Sequence, residues 1–320
     1  MQRLIPTLHN DGVPQALINV IDTLLAGTKE LAFRISQGVL GGVLGSTLDE
    51  NIQGETQKKL DVLANNLLKD LLAADTHVLA IASEEEPTSV ACNPNGHYVV
   101  AFDPLDGSSN IDINGQIGTI FTIYKALKNV PANSELHFLQ AGCEQVCAGY
   151  VLYGPSTLLV MSTGGPTRCF TLDITHGSYL LTQPALAIPE DTTEFSVNMS
   201  NQRFWSDACK NYIADLMLGE QGARAKRFNM RWNGAMVGDV HRVLQRGGIF
   251  LYPNDNRDSK QPSKLRLLYE ANPMAMLVNH AGGLAMAEGK NILTLQPESL
   301  HQRVEVVLGS KNEVEEYLSY

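Results

Sequence analysis

Apolar residues recur at helical spacing from Gln15 to Val39, with Leu17, Val20, Ile21, Leu24 and Leu25 followed by Leu31, Ile35 and Val39. The pattern predicts two short helices against a core. The run GVLGGVLG, Gly38 to Gly45, breaks the periodicity and reads as a helix end and a turn, because the Gly-Lys-Ser/Thr ending of a P-loop is missing. Another helix is predicted from Thr56 through LDVLANNLLKDLLAAD, with Leu60, Leu63, Leu67 and Leu71 on one stripe and Asp61 in its first turns.

After Asp75 the pattern shifts to short β-type runs: HVLAIA (His77 to Ala82), HYVVAF (His97 to Phe102), IGTIFTIY (Ile117 to Tyr124), GYVLYG, TLLVMST and RCFTLD. Gly154-Pro155-Ser156 between two of them is a hairpin signal. The first half therefore reads as helices on a mostly antiparallel sheet. The segment TQPALAIPEDTT, Thr182 to Thr193, carries two prolines and marks a boundary, giving halves 1–187 and 188–320. The second half alternates. Helices are predicted over Ser206 to Leu218 and MVGDVHRVLQRGG, a strand at GIFLYP, a helix from Asn272-Pro273 to AGG, a strand at VEVVLGS and a terminal helix. The expected fold class is α/β, an α+β layered sandwich.

Composition narrows the function classes. The 320 residues include 24 Lys plus Arg against 34 Asp plus Glu, a net charge of −10, which argues against a nucleic-acid partner. No apolar run reaches the roughly 20 residues of a membrane helix and the N-terminus has no signal-like apolar stretch, so a soluble, cytoplasmic protein is expected. Five scattered cysteines fit reduced thiols; Cys143 and Cys147 have no second ligand pair nearby and read as buried structural residues.

The segment FDPLDGSSNID, Phe102 to Asp112, is the richest in chemistry. Asp103 and Asp106 flank Pro104, which sets a tight turn, so two carboxylates and the Leu105 carbonyl can converge at a strand end. Oxygen ligands of this kind suit Mg²⁺ or Mn²⁺. Gly107, Ser108 and Ser109 follow, offering consecutive N–H groups and hydroxyls to a phosphate. HVLAIA runs into Ser83-Glu84-Glu85-Glu86, which places carboxylates at the end of an adjacent strand. In KLRLLYEANP, Glu270 lies near Lys264 and Arg266, a spacing that fits either a salt bridge or the far wall of an anion site.

From about Gly41 to the C-terminus the chain resembles the class I fructose-1,6-bisphosphatases, through QKKLD (Gln57 to Asp61), SEE (Ser83 to Glu85), FDPLDGSSNID, GTIF, DVHR, GGIFLYP, KLRLLYEANPMA, AGG and HQR. The resemblance implies a sugar-phosphatase fold and Mg²⁺-dependent hydrolysis of fructose 1,6-bisphosphate to fructose 6-phosphate in gluconeogenesis. It implies that Glu84, Asp103, the Leu105 carbonyl, Asp106 and Glu270 ligate two or more Mg²⁺ ions per subunit, with Mn²⁺ as a substitute. Asp106, Gly107, Ser108 and Ser109 would meet the phosphate being cleaved, and Asp61 and Glu85 would help activate the attacking water. Asn198, Tyr252 and Lys264 would hold the sugar and its other phosphate, with Arg231 reaching the neighbouring subunit's site in a homotetramer. The sugar bisphosphate is then the small-molecule partner, with no nucleic acid and no membrane.

The chain departs from the family pattern at Met199 and Asn201, where Asn-Glu-Gly-Tyr is common, and at Trp232, where a tyrosine is common. Gly27-Thr28-Lys29-Glu30 looks like the family's AMP-binding segment but falls inside a helix, and His97 and Lys125 replace other members of that pocket, so AMP inhibition is not expected. Within enzymes, the D-P-x-D-G-S core also fits inositol monophosphatases and bisphosphate nucleotidases, but YEANPMA takes the place of their Trp-Asp-x-Ala segment. Sedoheptulose-1,7-bisphosphatase stays open, because one extra carbon alters few contacts. From another class, a silent regulatory homologue would keep the fold without the activity.

Overall fold

The computed structural model describes residues 1–42, 45–50, 56–258 and 261–320. It begins with α1 (Leu4–Asn10) and α2 (Gln15–Gln37), continues through the antiparallel pair β1 (Ser46–Glu50) and β2 (Thr56–Lys58), and reaches α3 (Lys59–Ala74). Where two short helices are expected, α2 is one helix of 23 residues. No proline interrupts it, and Gly27 is a point of close approach rather than a break: a Cβ there would lie 2.7 Å from Leu68 Cδ2 of α3. Thr28 is buried inside the helix and its hydroxyl meets Tyr179 Oη at 3.2 Å, so Gly27-Thr28-Lys29-Glu30 does lie within a helix. Val43 and Leu44 of the glycine-rich run lie outside the described residues. On α3 the buried stripe is Leu60, Ala64, Leu68 and Leu72, with the expected Leu63, Leu67 and Leu71 half-buried on its flank.

The larger sheet comprises β3 (Val78–Ser83), β4 (Val90–Ala91), β5 (Tyr98–Asp106), β6 (Ile117–Lys125), β7 (Gln145–Tyr153), β8 (Thr157–Ser162), β9 (Arg168–Asp173) and β10 (Ser178–Gln183). Their spatial order is β10-β9-β8-β7-β6-β5-β3-β4, antiparallel except for β3 beside β5. That parallel pair sets Ser83 opposite Phe102, and Glu84 N donates to Phe102 O at 3.1 Å, so the acidic segments after both strands emerge together. At the other edge, Leu181 N donates to Gln2 O at 2.8 Å, and the Arg168 guanidinium pairs with Asp11.

Pro104 does not end its strand. β5 runs on to Asp106, and its pairing with β6 shifts between Asp103 opposite Ile120 and Asp106 opposite Gly118, three residues against two. A bulge tolerates the residue that has no N–H to give.

The second sheet contains β11 (Glu194–Val197), β12 (Asn229–Met230), β13 (Ile249–Tyr252), β15 (Leu284–Ala287), β16 (Lys290–Asn291) and β18 (Val306–Gly309), ordered β12-β11-β13-β18-β15-β16; β14 (Leu265–Arg266) pairs with β17 (Arg303–Val304). Its helices are α4 (Asp207–Leu218), α5 (Met236–Arg246), α6 (Asn272–His280) and α7 (Lys311–Tyr317). Val240 and Leu244 of α5 and Leu277 of α6 share one core with Ile120 and Tyr150 of the first sheet and Phe250 and Leu308 of the second. Leu24 and Leu68 pack on the outer face of the first sheet, and Tyr212 and Val314 on the outer face of the second. The order of layers is helix, sheet, helix, sheet, helix, the layered α/β sandwich expected from sequence. Cys147, Cys169 and Cys209 are buried as structural thiols, but Cys143 is exposed, against the sequence reading.

Candidate metal and phosphate site

The joint ends of β3 and β5 face the segment that leads into α6. There Asp103, Asp106 and Glu270 each offer a carboxylate oxygen within 4.8 Å of the others, and all three are buried. Glu270 sits in a wide π-type turn, Leu267–Ala271, the kind of irregularity that re-aims a side chain at a functional site. Each acid is held by backbone: Leu105 N donates to Asp103 Oδ1 at 2.9 Å, Val237 N to Asp106 Oδ2 at 2.7 Å, and Arg266 N to Glu270 Oε2 at 2.7 Å. Arg266 is itself buried, with Nη1 2.6 Å from Glu84 Oε1 and 3.8 Å from Glu270 Oε2. The alternatives left by the sequence thus divide between two residues: Arg266 makes the ion pairs and Lys264 lines the cavity.

Burial dominates the electrostatics, and like charge adds to it. Asp103 is pushed well above the usual carboxylate range by desolvation, then by the charges of Glu84, Asp106 and Glu270. Desolvation also raises Asp106 to about 7 and Glu270 to about 8, with the charge of Glu84 adding to both shifts and backbone donors opposing them. Four carboxylates around one guanidinium leave an excess of negative charge in a dry place. An all-oxygen donor set of this kind fits a hard divalent cation, which would let the acids ionise together.

The phosphate cradle follows directly. Gly107 has φ +80°, and a Cβ there would collide with Ala235, so only glycine fits between β5 and the turn before α5. Ser108 opens a 3₁₀ turn through Ile113. These residues line a cavity of about 390 Å³ whose other end presents Asn198, Trp232, Tyr252 and Lys264. Asn198 Oδ1 accepts from Ser200 N at 3.2 Å and Ser200 Oγ at 2.6 Å, which leaves its amide N–H₂ as the group to offer a ligand. The Trp232 ring lies parallel to Phe250, centroids 6.2 Å apart, and 6.4 Å from Tyr252.

Of the residues singled out from sequence, Glu84, Glu85, Asp103, Leu105, Asp106, Gly107, Ser108, Ser109, Asn198, Tyr252, Lys264 and Glu270 line this one cavity. Asp61 sits just behind it in the first turn of α3, accepting from Lys58 N at 2.9 Å. Burial lifts its carboxyl to about 7, with the Glu85 and Glu84 charges adding to the shift. Arg231 does not join them: it is exposed, donates to Met230 O at 2.9 Å and borders a separate cleft with Glu194 and Arg242. Glu86 turns away from the acidic run to Asn65 Nδ2 at 2.8 Å and to Lys69. Sequence reading missed the backbone donors Val237 N and Arg266 N. An acid at the start of a helix, Asp239, was the one available signal that the turn before α5 is anchored.

Comparison with known proteins agrees along the whole chain. The model of the fructose-1-6-bisphosphatase N-terminal domain matches residues 7–184, and that of the C-terminal domain residues 188–320. A Cellvibrio japonicus protein named fructose-1,6-bisphosphatase class 1 is 71% identical over 320 residues, 100% of this chain and 99% of its own length. A Colwellia psychrerythraea protein of the same name is 62% identical, with the same coverage. The crystal structure of Leishmania major fructose-1,6-bisphosphatase in holo form superposes with a TM-score of 0.93 at 35% identity, covering 99% of this chain and 98% of that one.

Proposed function

This chain belongs to the fructose-1,6-bisphosphatase family, and from that premise we propose that the cavity is where fructose 1,6-bisphosphate loses its 1-phosphate to water. It is a divalent-metal phosphomonoesterase giving fructose 6-phosphate and phosphate. The observation that carries the reading is the convergence of Asp103, Asp106 and Glu270 beside the Gly107 to Ser109 cradle. Glu84, Asp103, the Leu105 carbonyl, Asp106 and Glu270 are the ligands for Mg²⁺, two or more ions per subunit, or for Mn²⁺ in its place. Bound there, the ions supply neutralisation of phosphoryl charge and acidification of water.

The chain's own residues do the rest. The N–H groups and hydroxyls of Gly107, Ser108 and Ser109 hold the phosphoryl oxygens in line for attack. Asp61 and Glu85 orient the water and take its proton; a carboxyl raised to about 7 suits a base working near neutral pH. A bond forms from the water oxygen to phosphorus as the bond to the sugar O1 breaks, and the leaving oxygen gains a proton. Lys264, Tyr252 and the Asn198 amide serve the second phosphate, which the acidic end cannot hold. Arg231 faces away from this chain's cavity, consistent with a contribution to a neighbouring site in a cytoplasmic homotetramer.

Phosphate release from fructose 1,6-bisphosphate, measured with Mg²⁺, with Mn²⁺ and with EDTA, tests the reading. Turnover is expected with either metal and is abolished by the chelator. Sedoheptulose 1,7-bisphosphate in a second arm measures how strictly the remote end counts carbons, and AMP in a third is expected to leave the rate unchanged. No release from the fructose substrate with either metal overturns the assignment.

A further inference from the structure

The two ends of the cavity are joined by one turn, Trp232 to Val237, and that turn rests on a buried acid outside the cavity. Asp239 Oδ1 accepts from Ser196 Oγ at 2.7 Å and from Asn233 N at 2.9 Å, and Oδ2 accepts from Gly234 N at 3.1 Å. Its carboxylate therefore holds consecutive amides of the turn from the side away from the ligand space. On the cavity side the same turn carries the Trp232 ring, packs Ala235 onto Gly107 and ends with Val237 N on Asp106 Oδ2. Asn110 Nδ2 donates to Asn233 O at 3.1 Å, and the Asn233 amide reaches Gln116, so the turn is also tied to the strand end it covers. Gly234, at φ +77°, makes the reversal possible.

We infer that Asp239 is a positioning residue that keeps the aromatic wall at Trp232 in register with the Asp106 carboxylate, so that a ligand touching both is held at one fixed length. The inference rests on the functional reading above. Asp239 is not among the residues that line the cavity; it acts through the Asn233 and Gly234 amides, between Trp232 on one side and Val237 N on the other. A carboxylate is needed because both of its oxygens face only donors, whereas an asparagine would set its N–H₂ against a backbone N–H.

Asp239→Asn in a Trp205→Phe background provides the test, because Trp205 and Trp232 are the chain's two tryptophans and Trp232 then reports alone. The variant is expected to lower kcat by about ten- to a hundred-fold, as small misplacements of reacting groups do, and to raise KM several-fold. The Trp232 emission maximum and its response to fructose 6-phosphate should shift with them, while far-UV circular dichroism stays native. Should the variant fail to fold, Ser196→Ala removes the hydroxyl that donates to Asp239 Oδ1 from a position outside the cavity lining, and it should move the same readouts, by less, in the same direction. Unchanged KM, kcat and emission in a folded variant, or a lowered Tm with those three intact, overturns the inference. The emission titration with fructose 6-phosphate needs no turnover, so a wild-type chain that releases no phosphate refutes the functional reading alone, while the titration still judges Asp239.

Discussion

Asp106 combines two demands on one side chain, since its carboxylate faces Asp103 and Glu270 while a helix N-terminus donates to its Oδ2. Asp106→Asn keeps the shape and removes the charge; kcat is expected to fall by about three orders of magnitude or more, read by phosphate release at saturating Mg²⁺. Lys264→Ala should instead raise KM for fructose 1,6-bisphosphate about ten-fold or more with kcat nearly kept, because a remote phosphate is a handle for binding. A Lys264 variant with a normal KM would remove that residue from the substrate's far end. The acids and serines of this site were legible because Asp103 to Ser109 are contiguous and their types suit the chemistry. The donors that aim those acids were not, since Val237 N and Arg266 N are backbone groups that any residue possesses.

Among elements, the sequence signal was strongest where burial was two-sided. β5 and β6 are buried almost throughout and were found; β10 alternates weakly at an edge and β11 has four residues, and neither was predicted. Pro104 pointed to a turn because local chemistry favours one there, yet the neighbouring strand absorbs the missing donor through a bulge. The periodicity predicts two short helices where α2 is one, continuous past Gly27, whose lack of a side chain serves the contact with Leu68. Gly118, opposite Asp106 in that bulged pair, follows the same logic more rigidly: a Cβ there would sit 2.5 Å from Val151 O and 2.9 Å from Val237 Cγ2. Because the first obstacle is backbone, Gly118→Ala is expected to lose about 1–3 kcal/mol in denaturant unfolding and to reduce activity by displacing Val237. Wild-type stability in that variant would mean that β6 and β7 can separate without penalty.

For the molecule as a whole, the buried acids tie stability to pH and metal. Without metal, Asp106 and Glu270 keep their protons to about 7 and about 8, far above their values in an unfolded chain. The native state then binds more protons than the unfolded one between about pH 4 and pH 8, so stability is highest at the acidic end and falls as pH rises through that interval. A divalent cation reverses the trend by favouring the ionised acids, and at a hundred-fold excess over Kd it adds about 3 kcal/mol. Melting of EDTA-treated protein should therefore give a lower Tm at pH 8 than at pH 6, with Mg²⁺ restoring more at pH 8. A Tm indifferent to metal at both values speaks against an ion among these acids. The layered architecture has a consequence for biosynthesis as well. Asp103 and Asp106 leave the ribosome long before Glu270, Lys264 and the turn that covers Gly107 have been translated, so the nascent first half carries acids but no enclosed cavity. Fragments divided between residues 184 and 188 should each be inert, and phosphatase activity should appear only when the two are refolded together.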